Sequence, residues 1–199
     1  MNPSPLLDWR GQTAVILASG PSLPSTLPKP EVLARARTIT TNTSWQAYPQ
    51  ADVYYACDHL WWKHHFKFIT HKDRCWTQDR QSAERYPIKW VRQEARDGLG
   101  QTAIRVNGNS GFGAINLAYL FGARRILLLG FDMQEVGGAK HWHPDHPAPL
   151  VQRLLFREWL HKSTILAREL REAGCEVVNC TPGSALTVFR SSAIEKELL

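Results

Sequence analysis

The chain has 199 residues, with 24 Lys and Arg against 18 Asp and Glu, and a formal charge of +6 at pH 7. Hydrophobic residues make up 43% and charged residues 21%, which excludes a mainly disordered chain. No apolar run reaches the roughly 18 residues of a membrane span, and the first residues lack a secretory pattern. We therefore expect a cytoplasmic protein with no membrane partner, whose four cysteines, without CxxC spacing, are reduced thiols.

Three short runs rich in β-branched residues predict strands in the first third of the chain. They are Thr13–Ala18, Thr38–Asn42 and Asp52–Cys57. The first run closes on a tight Ser/Gly/Pro loop. Residues 58–100 have mixed periodicity, and we interpret them as a basic, Trp-rich insertion that the pattern does not divide.

The second half alternates helices and strands more clearly. A turn-rich loop at 107–111 precedes a helix over about 112–121, and the apolar run Arg125–Phe131 is typical of a parallel strand buried on both faces. The later elements are a His-rich lid loop over about 133–149, a long helix over about 150–173, a strand at 176–179 and a short helix at 194–199. This alternation predicts one Rossmann-like α/β domain over 1–199, with a doubly wound, mostly parallel sheet and helices on both faces.

Two Ser/Gly loops belong at the carboxyl edge of such a sheet, where ligands of open parallel sheets bind. The first contains Ser19, Gly20, Pro21 and Ser22. Its hydroxyls can donate to phosphate oxygens, although the loop matches neither GxGxxG nor the P-loop pattern. The second contains Asn109, Ser110 and Gly111 and opens a helix, whose first N–H groups attract anions. A plain turn, for the first loop, and an N-cap at Ser110, for the second, are the structural alternatives.

A third loop carries a histidine string. It consists of His141, His143, Asp145 and His146. The string fits the HxHxDH zinc-ligand pattern of metallo-β-lactamase-like hydrolases. In those proteins it follows an early strand of a β-rich sandwich, whereas here it follows an α/β half. The position favours a lid loop with one catalytic histidine, and leaves a zinc site and a solvated histidine cluster as alternatives.

Four segments, in the same order along the chain, resemble one group of transferases. Ala14–Leu23 is similar to a strand followed by GNGPSL, with Ser19 in place of Asn, and Thr41–Trp45 lies where an Asn follows the second strand. Ser110–Asp132 and Val177–Leu186 resemble the two later blocks. The group comprises bacterial CMP-sialic-acid-dependent sialyltransferases, motility-accessory glycosyltransferases and archaeal-type 6-hydroxymethylpterin diphosphokinases, with compact phage-borne members. The resemblance leaves 58–100 unmatched.

This resemblance implies transfer of a sugar from a CMP- or UDP-linked donor to an acceptor hydroxyl, with no required metal cofactor. It implies that Ser19, Gly20 and Ser22, with Pro21 in their turn, hold the nucleotide phosphates, and that Asn42 contacts the sugar or ribose. Further implied roles fall to Asn109, Ser110 and Gly111 on the nucleotide or donor carboxylate, and to Asp132 in ordering the base-side loop. A lid histidine would be the general base, a task that suits imidazole because its pKa lies near 6.5. We favour His143 over His141 and His146.

The basic stretch 58–96 holds four of the eight tryptophans, and its nine Lys and Arg against five acids give it a charge of +4. Trp61, Trp62 and Lys63 are candidate acceptor-binding residues, because aromatic faces stack on sugars or bases while cations follow phosphates. Nucleic acid bearing a modified base is then a candidate acceptor. The alternative, which we favour, is that the rings fill a small core beneath charged stems.

Three other functions stay open. A diphosphokinase acting on a pterin-like alcohol would need ATP and Mg²⁺, held by carboxylates such as Asp58 and Asp132. A hydrolase would need Zn²⁺ on the histidine string. A nucleotide- or nucleic-acid-binding phage protein would bind without turnover.

Overall fold

Strands and helices alternate along most of the described chain. The structure, a computed structural model, describes residues 1–144, 150 and 154–199. The strands are β1 (Thr13–Leu17), β2 (Arg37–Thr41), β3 (Val53–Tyr55), β4 (Cys75–Thr77), β5 (Lys89–Trp90), β6 (Arg125–Leu129), β7 (Glu176–Asn179) and β8 (Arg190–Ser191). The helices are α1 (Leu23–Thr26), α2 (Pro30–Leu33), α3 (His59–His65), α4 (Arg80–Arg85), α5 (Ser110–Leu120), α6 (Phe156–Glu172) and α7 (Ile194–Leu198), with 3₁₀ turns at Asn42–Gln46, Phe66–Phe68 and Lys72–Arg74.

The strands form one eight-stranded sheet in the order β5-β4-β3-β2-β1-β6-β7-β8. All of its pairings are parallel. The chain moves outward from β1 to β5, returns to the centre at β6 and moves outward again to β8. The direction of winding therefore reverses between β1 and β6, as in doubly wound folds. The predicted Rossmann-like α/β class is confirmed.

Each central strand contributes to two hydrophobic cores, one on each face of the sheet. The first core contains Ala14 and Ile16 of β1 and is covered by α5 and α6. The second contains Val15 and Leu17 and is covered by α1, α2, α3 and α7. Successive strand residues point to opposite faces, so a strand buried on both sides needs an unbroken apolar run.

The basic Trp-rich stretch is part of this sheet, because it supplies α3, β4, α4 and β5. The rings of Trp61, Trp62 and Trp76 are at most 4% exposed, and they pack into the two cores. The interpretation that these rings fill a core is therefore confirmed for them. The sequence pattern does not reveal the separate elements of this stretch, because β4 and β5 are only three and two residues long.

Two predicted helix starts are wrong. The long helix begins at Phe156, not near Leu150, because Leu155 has the non-helical angles φ −108° and ψ 48°. The earlier leucines, Leu150 and Leu154, line a cavity instead of continuing the helix. The small-residue helix begins at Ser110, two residues before the expected Phe112, because Asn109 caps it.

Both outer strands are short, and the edge of β5 is covered by the N-terminal segment. At β5, the backbone N–H of Ser4 donates to the carbonyl oxygen of Trp90 at 2.8 Å, and the Ser4 hydroxyl accepts from the Trp90 N–H at 3.0 Å. The N-terminal segment thus occupies the β5 edge. At the opposite edge, Arg190 of β8 pairs with Glu197 at 2.8 Å and with Glu176 at 2.9 Å.

The ion pairs beside β8 predict how stability depends on acid. Hydrogen bonds from Arg190 hold the pKa of Glu197 near 2, below its ordinary 4.5. A carboxyl group whose pKa is lower in the folded protein stabilises it above the unfolded pKa, and that stability is lost as the pH falls toward the folded pKa. We expect Glu197→Gln to lower the free energy of unfolding at pH 7 by on the order of 1 kcal/mol, because Arg190 is half exposed and solvent screens the pair.

Urea unfolding at pH 7, 4 and 2.5 measures this effect. The variant should lose less stability than the wild type between pH 4.5 and 2. Glu195→Gln is the control, because Glu195 is an exposed carboxylate on the same helix that takes no part in the ion pairs of the described residues. Equal acid sensitivity in the wild type and Glu197→Gln would contradict the assignment.

Candidate functional site

A cavity of about 430 Å³ opens at the carboxyl edge of the sheet, above the point between β1 and β6 where the winding reverses. Ligand sites of open parallel sheets lie at this position, and small-molecule pockets measure roughly 300–1,000 Å³. The sequence-predicted residues in its wall are Ser19, Gly20, Pro21, Asn42, Asp58, Trp61, Asn109, Ser110, Gly111, Asp132 and His141. The two Ser/Gly loops therefore meet at one cavity.

The loop after β1 is held by the protein's own groups. The N–H of Gly20 donates to the carbonyl oxygen of Gly130 at 2.9 Å, and the Ser22 hydroxyl donates to Asp132 Oδ2 at 2.9 Å. The hydroxyls of Ser19 and Ser44 lie 3.1 Å apart. A Cβ on Gly20 would lie 2.0 Å from Asp132 Oδ2, so the close approach requires glycine. This loop shapes the cavity wall, and its serine hydroxyls already have partners.

Asp132 fixes that loop from below. Its side chain is 2% exposed, and burial raises its pKa above the ordinary value, although the hydrogen bonds from Ser22 oppose the change. The resemblance assigned Asp132 to a base-side loop. In the structure its carboxylate lies beneath Gly20 and on Ser22, at the first Ser/Gly loop.

This placement predicts a stability gain when the charge is removed. Because burial raises the folded pKa of Asp132, the stabilising contribution is present below the unfolded pKa and is lost as the pH rises through the folded pKa. Asp132→Asn keeps an oxygen acceptor for Ser22 and removes the buried charge. We expect it to raise the Tm at pH 7 by roughly 2–4 °C, which is the shift that a gain of about 1 kcal/mol in the free energy of unfolding produces in a domain of this size. This gain should shrink as the pH falls toward 4.

The control is Asp52→Asn, because Asp52 accepts from the N–H and hydroxyl of Thr38 at 2.8 and 3.0 Å and is better solvated. This variant should lose stability at pH 7. Thermal unfolding monitored by circular dichroism compares the two variants. A lower Tm for Asp132→Asn at pH 7 would show that the ionised carboxylate stabilises the loop.

The second Ser/Gly loop is capped by Asn109, not by Ser110. Asn109 Oδ1 accepts from the N–H groups of Gly111 and Phe112 at 2.8 and 3.4 Å. This leaves Ser110 as the first residue of α5, with its side chain on the Cys57 thiol. The positive end of the α5 dipole thus faces the cavity through Ser110.

The cavity floor under α5 is a buried polar cluster. The Tyr55 hydroxyl donates to Gln78 Oε1 at 2.7 Å and lies 3.3 Å from the Cys57 sulfur. Burial raises the pKa of Cys57 to about 11, so the thiol is neutral at pH 7. All four cysteines are free. Cys57 therefore acts here as a hydrogen-bonding wall residue, since the nucleophilic form of cysteine is the thiolate.

Aromatic rings and amides form the rest of the wall. The rings belong to Trp61, Phe131, Phe156 and Trp159, and the amides to Asn42, Gln78 and Gln134. Asn42 has φ 48°, a left-handed conformation that Asn tolerates better than most residues. Asn42 Oδ1 and the indole nitrogens of Trp61 and Trp159 are buried without a hydrogen-bond partner among the described residues. Flat apolar faces beside neutral polar groups suit a sugar ring or a nucleobase.

The lid loop brings His141, not His143, to the cavity. His141 and Lys140 line the wall among the described residues, and the His141 ring stacks on His143 with centroids 5.0 Å apart. His143 turns its Nδ1 toward the carbonyl oxygen of Pro144 at 2.7 Å. Asp145 and His146 lie outside the described residues. Within the described ranges, no group of three His, Cys, Asp or Glu is arranged to hold a metal ion.

Trp142 anchors the lid over the first loop. Its N–H donates to the carbonyl oxygen of Ser19 at 3.2 Å, and its indole Nε1 donates to the Ser44 hydroxyl at 3.4 Å. The ring also packs against the second core. These contacts hold the lid where His141 lines the same cavity as Gly20 and Asp132.

Several wall residues were missed from the sequence, and four predicted site residues lie outside the cavity lining, namely Ser22, Trp62, Lys63 and His143. The missed residues include Gln78, Met133, Gln134, Lys140, Phe156 and Trp159. Gln78 directly follows β4, so recognising that strand would have placed it at the carboxyl edge. Trp62 is fully buried and donates from Nε1 to the Ala56 carbonyl oxygen at 3.0 Å, while Lys63 is exposed outside the cavity lining.

In a comparison with known proteins, no family model, curated protein or solved structure matches the chain. Among the helices of the described residues, none has the length and apolar character needed to cross a bilayer.

Proposed function

We propose that the protein is a nucleotide-dependent transferase that moves a glycosyl group from a CMP- or UDP-linked donor to an acceptor hydroxyl. The observation that carries the proposal is the convergence of both Ser/Gly loops, the aromatic wall and a lid histidine on one cavity between β1 and β6. A cavity at this reversal of a parallel sheet is where nucleotides bind in doubly wound folds. The sequence resemblance points to the same class of reaction.

The wall suggests how such a donor lies. The phosphate would face Ser110 at the α5 N-terminus and Lys140 of the lid, because both present positive charge or donors to the cavity. The loop of Ser19 and Ser22 would close around it as a shaped wall, since its hydroxyls bond to protein groups. The nucleobase and sugar would lie against the rings of Trp61 and Trp159.

In the transfer step, His141 would accept the proton of the acceptor hydroxyl. The hydroxyl oxygen forms a bond to the anomeric carbon, the bond between that carbon and the phosphate oxygen breaks, and the nucleotide leaves with the electron pair. General-base catalysis of this kind contributes roughly 10²–10⁴-fold to the rate. His141 is the better placed of the two histidines because it lines the cavity, whereas His143 is turned to Pro144.

The neighbouring histidines provide a matched test. We expect His141→Ala to reduce the rate of donor turnover by about 10²–10⁴-fold, because it removes the base, and His143→Ala to reduce it by less than about tenfold. The measurement is nucleotide release from CMP- and UDP-sugars, with and without simple glycan acceptors. Equal losses in both variants would mean that the stacked pair acts only in holding the lid. Full activity of His141→Ala would remove it as the base.

A second candidate, diphosphate transfer from ATP, is favoured by one observation, which is that Asp58 and Asp132 line the same cavity. Thermal shift with CMP, UDP and ATP, each with and without Mg²⁺, separates the two. A nucleotide at 100 times its dissociation constant stabilises the protein by about 2.7 kcal/mol. If the protein transfers a glycosyl group, CMP or UDP should stabilise it without metal. Stabilisation by ATP with Mg²⁺ alone would instead identify it as a diphosphokinase.

A further inference from the structure

The segment from His59 to Gln78 is unusually poor in carboxylates. Its only acidic residue is Asp73, against Lys63, Lys67, Lys72 and Arg74, and it also holds four histidines. The side chains of this segment that lie exposed include Leu60, Lys63, His64, Lys67, Phe68 and Lys72. Burial of the tryptophans accounts for the aromatic content of the segment but not for its surface charge.

Three cations of this region lie over aromatic rings, one of which is the buried ring of Phe66. Lys72 Nζ lies 5.2 Å from the centre of this ring, and the Tyr86 ring packs 4.7 Å from it with the Arg85 guanidinium 5.8 Å above Tyr86. Lys67, which follows Phe66 in the sequence, has its Nζ 4.8 Å from the centre of the Phe68 ring.

We call the patch formed by Lys63, Lys67, Lys72 and Arg85 the α3 basic face. An aromatic ring attracts a cation but does not neutralise it, so the face keeps its charge.

Several cations elsewhere in the fold are paired with carboxylates. Arg125 and Arg190 contact Glu176 and Glu197, and Lys162 contacts Glu158 at 2.8 Å. No ion pair within the described residues includes a member of the α3 basic face, while Arg74 donates to the backbone carbonyls of Gln50 and Ala51. The charge of the face is thus available to a partner.

We infer that the α3 basic face binds single-stranded nucleic acid and directs it toward the cavity. The phosphates would follow the lysines, and the Phe68 ring, 55% exposed, offers a face on which an unstacked base can lie. Helix α3 carries Trp61 into the cavity wall, while Lys63, two residues later on α3, and Lys67, in the 3₁₀ turn that follows, are exposed at the surface. That the bound strand is the acceptor rests on the proposed function.

A membrane surface is the less favoured partner. The exposed large apolar side chains here are Leu60 and Phe68, which flank the lysines singly and do not form a broad patch. Duplex nucleic acid also fits less well, because its stacked bases cannot use the Phe68 ring or enter the cavity.

The test is fluorescence anisotropy with a labelled oligodeoxythymidine of about 20 nucleotides at several salt concentrations, without any sugar donor. With four phosphate contacts, the plot of log K against log salt should have a slope near −3, at roughly −0.7 per contact. The combined variant Lys63→Gln, Lys67→Gln, Lys72→Gln should bind at least tenfold more weakly, with a slope shallower by about 2. Phe68→Ala should weaken binding about fivefold or more without changing the slope.

The matched control is the triple variant Lys29→Gln, Arg171→Gln, Lys196→Gln. It removes the same charge from exposed positions before α2, on α6 and on α7, respectively. It should bind within about threefold of the wild type. Equal losses in both triple variants, equal affinity for duplex DNA, or binding to phosphatidylglycerol vesicles but not to the oligonucleotide would each overturn the inference. Since no donor is present, loss of transfer activity does not affect this result.

Discussion

The parallel pairing of β1 with β6 is the constraint on which the site depends. The two strands run in register from Thr13 opposite Arg125 to Leu17 opposite Leu129, so they end at the same level. The pairing continues past both strands, since Ala18 N–H donates to the Leu129 carbonyl and Gly20 N–H donates to the Gly130 carbonyl. The chain then leaves the two strands in opposite directions, which opens the space that the cavity occupies.

The polar groups at the carboxyl edge of the sheet fall into two sets. Groups close to the strand ends, such as the Ser22 hydroxyl and the Asp132 carboxylate, bond to one another and fix the loop backbone. Groups farther from the strands, such as Lys140, His141 and the Trp159 indole, come from the lid and from α6. The residues of the lid and of α6 thus face the cavity, while the groups at the strand ends hold the loop geometry.

The sequence predicts the centre of this molecule better than its margins. The strands β1 and β6 are recognisable because burial on both faces leaves nearly unbroken apolar runs, whereas β5 and β8 have two residues each and show no periodicity. Leu150 and Leu154 continue the apolar pattern of α6, but hydropathy does not distinguish a leucine on a sheet from one in a cavity wall. Topology alone brings the two Ser/Gly loops together. The hydrogen bond between Ser22 and Asp132 joins residues that are 110 positions apart, and only the structure reveals it.

The pairing of Ser4 with Trp90 has a consequence for how copies of the protein meet one another. An uncovered strand at the margin of a sheet is a template on which a second chain can add, and such addition leads to aggregates. Here the N-terminal segment already fills the hydrogen-bonding positions of Trp90. Sheet-to-sheet polymerisation would have to start at β8, where only two residues pair with β7 and the strand offers a second chain a very short edge.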